Sequence, residues 1–174
     1  MIKINKAENR YFLKEVLIKS MIIGISFYFF RSLVLSSNSR FISIVFRNPN
    51  SLFSLYKFFF LAVTVLVIGE YLIMFKLPPN FLLSRVIGLV VMFLLTTILY
   101  SGYYFSFGAR IRTAFLLLTT GIAIIFGQII SYRVQKRKNL RWGHSLGFFN
   151  YFLIATVLMG LSLAKLEGFI FLDS

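Results

Sequence analysis

Four side chains, Glu70, Arg85, Gln128 and Asn150, combine a charge or an amide with a place inside long apolar runs, and they are where chemistry is to be sought. A carboxylate at such depth can carry a proton, hold a cation or accept from a guanidinium, and a guanidinium can grip a phosphate headgroup. The parts for covalent chemistry are scarce. The 174 residues include no cysteine, one histidine and five acidic side chains. His144 sits beside Trp142 and Gly143 in a basic stretch with no second ligand candidate nearby, so it reads as a boundary residue rather than a metal or haem ligand. Glu70 is the only acid inside an apolar run, and no acidic pair, Ser–His couple or glycine-rich phosphate loop accompanies it. No catalytic residue, metal or cofactor is therefore assigned.

The elements that must position these groups are set by composition. Hydrophobic residues make up 59% of the chain and charged ones 14%, too little polar surface to coat a soluble globule of this size. Five segments approach the roughly 20 apolar residues needed to cross a bilayer. They are Val16–Leu35, Phe58–Phe75, Val86–Phe105, Ala114–Tyr132 and Leu146–Ala164. The expected fold is all-α: a polytopic membrane protein, one domain, a bundle of five transmembrane helices. The first span has charges near both ends, and Lys19 and Arg31 are expected to reach outward to headgroups along their alkyl stems. Its basic leader carries Glu8 and Glu15 and no small-x-small cleavage site follows, which favours a retained signal anchor over a cleaved signal peptide. Pro78, Pro79 and Asn80 force a short turn, so the second and third spans should form an antiparallel hairpin. Phe41–Phe46, too short to cross, reads as an interfacial helix or a loop lying on the membrane.

With five spans, Lys3, Lys6, Arg10, Lys14, Lys19, Lys76, Arg85, Arg133, Lys136, Arg137, Lys138 and Arg141 fall on one side, twelve of the nineteen basic residues. The positive-inside bias then puts the N-terminus in the cytoplasm and the C-terminus outside. The net charge of +14 is spread over membrane boundaries, not gathered on one aromatic-laced stripe. Anionic lipid headgroups are its expected partners, and nucleic acid is not.

Depth brings the polar groups together. Glu70 lies about 9 Å inside the end of the second span at Lys76, and Arg85 about as far into the third beyond Pro79. An unpaired carboxylate there is costly, so the two are expected to pair across the hairpin. Gln128 and Asn150 fall in the same layer, with the hydroxyls of Tyr71, Ser131, Tyr132 and Tyr151 near that depth. One reading is a cytoplasm-facing cavity for a lipid headgroup, an ion or a partner's polar residue. The other, preferred, is a lock in which the ion pair fixes the hairpin and the amides bond across helices. Small-residue spacings at Ala123/Gly127, Thr156/Gly160 and Gly160/Ala164 permit close helix approach, and Tyr100, Tyr103 and Tyr104 form an aromatic belt at the opposite boundary.

From about residue 31 to residue 133 the chain resembles a family of small uncharacterised five- or six-helix bacterial integral membrane proteins. The matching landmarks are Ser36 and Asn38, Ser51 and Lys57, Glu70-Tyr71, Pro79-Asn80-Phe81, Gly88, Gln128 and Ser131-Tyr132-Arg133. The family's acidic, Trp and His residues after the first helix and before the second are missing, where this chain reads Phe30-Arg31-Ser32-Leu33-Val34-Leu35 and Asn50-Ser51-Leu52-Phe53-Ser54-Leu55-Tyr56. The resemblance implies a bacterial inner membrane and keeps Glu70 of interest, but it implies no activity. The expected function is a non-enzymatic subunit or accessory factor of a larger respiratory or transport-type membrane complex, in a bacterial inner membrane or alternatively a mitochondrial one. A small-substrate transporter or lipid-headgroup binder built on the polar layer is the alternative.

Overall fold

A computed structural model describes residues 6–37, 39, 42, 45–46, 51–74, 77–78, 80–107, 113–137 and 142–163. Five helices run α1 Lys6–Ser36, α2 Leu52–Ile73, α3 Phe81–Phe107, α4 Thr113–Gln135 and α5 Gly143–Leu163, with no strand among the described residues. Each contains a stretch long and apolar enough to cross a membrane, which makes the chain an integral membrane protein with five spanning helices among the described residues. The helices α1 to α4 outrun the expected spans, because a helix does not stop where the hydrocarbon does. α2 begins six residues earlier than expected, at a cap where Ser51 Oγ accepts from the Ser54 N–H at 3.2 Å. It ends before the prolines, and α3 restarts with the Phe81 N–H bonded to Pro78 O at 3.0 Å. Asn80, fully buried, donates from Nδ2 to Arg137 O at 3.1 Å and so pins the hairpin turn to the end of α4.

The core is drawn from α1 to α4. Ile23 and Phe27 of α1 meet Phe58, Phe59 and Ala62 of α2, Leu89 and Met92 of α3, and Leu116, Ala123 and Ile124 of α4. α3 is the hub, and its closest neighbour is α4. Their backbones approach where Gly88 faces Gly127: a Cβ on Gly88 would lie 2.9 Å from Gly127 O, and one on Gly127 2.8 Å from Gly88 O. The Ala123/Gly127 spacing is thus used inside the bundle. α5 sits outside the other four, docked on α3 where a Cβ on Gly147 would lie 2.8 Å from the Leu82 carbonyl carbon. Its Gly160 has nothing within 4 Å, and Ala164 lies outside the described residues. A bond of 2.5 Å from Tyr151 to Thr64 Oγ1 ties α5 to α2 at mid-depth, Thr64 itself donating to Phe60 O.

We call the end where α1 begins the near end and the other the far end. At the far end Val45 is buried, and Phe46 stacks on Phe58 with ring centroids 5.0 Å apart. Where it is described, the Phe41–Phe46 segment therefore packs down on α2; Phe41, Ser43 and Ile44 lie outside the described residues. Tyr103 packs on Phe107 and Phe115 and joins the far ends of α3 and α4.

Candidate functional site: a buried charge network near one membrane face

Each charged member of the network owes its place to a helix face. On α1 the buried positions Val16, Lys19, Ile23 and Phe27 recur at three- and four-residue steps, which lines them up along the stripe facing the bundle. Glu15 lies one turn before Lys19 and bonds its ammonium. On α2 the buried positions Ala62, Val63, Leu66 and Glu70 continue a similar stripe, and on α3 the sequence Phe81, Ser84, Arg85, Gly88, Leu89 does the same. Glu70 and Arg85 thus point at each other because both replace an apolar residue on the core face of adjoining antiparallel helices.

Arg85 is the largest fully enclosed side chain among the described residues, 1% exposed. Its Nη2 donates to Glu70 Oε1 at 2.6 Å. Its Nη1 reaches Ser131 Oγ at 2.9 Å and Gln128 Oε1 at 3.3 Å on α4, and the guanidinium carbon lies 5.4 Å from the Phe81 ring centre. Glu70 Oε1 also takes Lys19 Nζ at 2.9 Å. Two anions, Glu15 and Glu70, therefore meet two cations, Lys19 and Arg85, and the network is neutral when all four are ionised. Two of its atoms are buried with no hydrogen-bond partner among the described residues, Glu70 Oε2 and Arg85 Nε.

The structure brings together Glu70, Arg85 and Gln128, adds Ser131 from the hydroxyls near that depth, and leaves Asn150 out. Asn150 Nδ2 bonds Leu146 O on its own helix at 2.8 Å. Its depth suits the layer, but the face of α5 turned to the bundle runs through Gly147, Tyr151, Ile154 and Leu158, and Asn150 sits about 100° away from Tyr151 around the helix. Tyr71 is 67% exposed, Tyr132 gives its ring to Phe12 of α1, and Tyr151 bonds Thr64. Lys19 departs from its expectation: it turns inward to two carboxylates instead of reaching for headgroups. The sequence held a signal for this, since Glu15 and Lys19 are four residues apart and Lys19 falls on the buried stripe of α1. Arg31, at the other end of α1, is half-buried.

Chemically, the arrangement can clamp four helices, α1 through Lys19, α2 through Glu70, α3 through Arg85 and α4 through Gln128 and Ser131, and the buried Glu70 Oε2, without a partner among the described residues, can accept a donor that enters the layer. Comparison with protein-family models, characterised proteins and solved structures yields no match.

Proposed function

We propose that this protein is a non-enzymatic, membrane-embedded subunit or accessory factor of a larger membrane assembly, residing in a bacterial inner membrane with its near end in the cytoplasm. The observation that carries the reading is the uneven burial of its helices. In the most apolar 18-residue window of α5, 17% of residues are buried, against 56% in α2. Phe148, Phe149, Phe152, Leu153 and Val157 are all exposed, and Gly160 opens onto free space on the same helix. Lipid tails are as apolar as these side chains, so helix association in a membrane draws on close packing, and small residues permit it. The buried charged groups toward the near end are meanwhile occupied with one another. Purification from native membranes in mild detergent should yield the chain together with at least one other polypeptide, and substituting Gly160 by Leu should release it. A lone chain from native membranes, with or without bound lipid, sinks the reading.

One observation favours a second reading, a headgroup or small-substrate binder: Glu70 Oε2 and Arg85 Nε are both enclosed without a bonding partner among the described residues. Under that reading Glu70→Gln removes ligand binding while the fold and its companions survive. Under the first, it lowers stability or assembly.

A further inference from the structure

The ion pair between Glu70 and Arg85 is made by one atom from each group. Arg85 Nη2 donates to Glu70 Oε1 at 2.6 Å, while Arg85 Nε and Glu70 Oε2 are buried with no hydrogen-bond partner among the described residues. A guanidinium and a carboxylate ordinarily close side by side through two parallel bonds. Here both groups are held by other helices. Glu70 Oε1 also takes Lys19 Nζ of α1 at 2.9 Å, and Arg85 Nη1 reaches Ser131 Oγ and Gln128 Oε1 of α4. Closing the second bond swings one group about the 2.6 Å contact, which draws Oε1 off Lys19 or Nη1 off α4. The pair therefore stays half open. Its unmet donor and unmet acceptor belong to the two groups already in contact, so one small molecule can reach both. Leaving both unmet in an enclosed layer costs more than ordering such a molecule there.

Charge decides what that molecule is. One unmet atom only donates and the other only accepts. A cation suits Glu70 Oε2 but faces the Arg85 N–H, and an anion suits Arg85 Nε but faces the carboxylate oxygen. Glu15 and Glu70 already balance Lys19 and Arg85, so an ion of either sign brings uncompensated charge into the layer. A neutral molecule that both accepts and donates satisfies the two atoms together. Arg85 is 1% exposed, which leaves no opening for a group still joined to a lipid, and the smallest molecule of the required kind is water. We propose that a bound water bridges Arg85 Nε and Glu70 Oε2, accepting from the first and donating to the second. This assignment rests on the second reading's premise that the layer takes a ligand, and it does not depend on whether the chain has companions.

The test uses the full-length chain, with isotope-labelled arginine and leucine, in vesicles of phosphatidylethanolamine and phosphatidylglycerol. Solid-state NMR then follows magnetisation from water protons onto assigned N–H groups. The Arg85 Nε–H should take it up as readily as that of the exposed Arg137, while the backbone amide of the fully enclosed Leu89, one turn further along α3, takes up none. Lys19→Met frees Glu70 Oε1 and lets the pair close, so transfer to Arg85 should drop to the level of the Leu89 amide. Ser131→Ala, which loosens Arg85 Nη1, should lower it too and decides the matter if Lys19→Met does not fold. Absence of transfer in the unaltered chain overturns the proposal, as does transfer that persists undiminished in the deciding variant. Magnetisation arriving from lipid headgroup protons and not from water overturns it as well, and assigns the layer to a headgroup. A chain that purifies alone yet keeps this water sinks only the subunit reading.

Discussion

Glu70 serves two cations with one oxygen, and this makes the consequences of removing each partner unequal. Loss of Glu70 leaves Arg85 enclosed with only Ser131 and Gln128 to answer it, while loss of Arg85 leaves Glu70 still bonded to Lys19. Breaking a buried ion pair by deleting one member costs about 3–5 kcal/mol because an uncompensated charge stays behind. Glu70→Ala should fall in that range, Arg85→Ala at about half of it, and Lys19→Met lowest, since Glu15 is 35% exposed and can be hydrated. Replacing Glu70 and Arg85 together by Leu and Met should cost far less than the two single losses added, because no charge is stranded. Unfolding in graded denaturing detergent gives this order; equal losses for Glu70→Ala and Arg85→Ala would remove Lys19 from the network. The Glu70–Arg85 pair was legible from depth counting alone, since two ionisable groups at one level of a hairpin have little else to meet. Lys19 was not, because a cation near the end of a span usually finds water, and only the register of α1 turns it inward.

At the scale of helices, hydrophobic length was enough to locate all five spans, and the prolines to locate the hairpin. Which face each helix turns inward was harder to read. When nearly every residue is apolar, lipid-facing and core-facing sides look alike, so depth counting groups Asn150 with the layer while in the structure it bonds Leu146 O of its own helix. Small residues carry the missing information only when their partner helix is known. Gly88 and Gly127 are interior contacts, Gly147 is the seat of α5 on α3, and Gly160 faces open space. A methyl group at Gly147 must push against the α3 backbone, which has nowhere to move, and overpacking of this kind costs about 1–3 kcal/mol. Gly147→Ala should therefore loosen α5, raising protease nicking in the connection between α4 and α5, while Gly160→Ala leaves the isolated chain unchanged. Equal sensitivity of the two variants would mean that α5 is seated elsewhere.

For the molecule as a whole, the burial of charge alters the argument for orientation. The count that put the N-terminus in the cytoplasm included Lys19 and Arg85, yet both are enclosed and bonded to carboxylates. Lys57, on the opposite side, is enclosed as well. Removing these three narrows the imbalance from twelve against seven to ten against six, and the direction survives. It survives because of the last turn of α4 and the α4–α5 connection, where Arg133, Lys136, Arg137, Lys138 and Arg141 are joined by no acidic residue. Loops this short are the ones in which positive charge sets topology. The chain has no cysteine, so single cysteines can report on each side without background. Placed at Lys136 in the α4–α5 connection and at Ser39 beyond α1, they should behave oppositely in intact cells: a membrane-impermeant maleimide labels the Ser39 site and spares the Lys136 site until the membrane is opened. Changing the five loop cations to Gln should weaken or invert that pattern, whereas Lys19→Gln should leave it intact. Labelling at Lys136 in intact, unaltered cells would reverse the orientation and put the charge network under the outer headgroups.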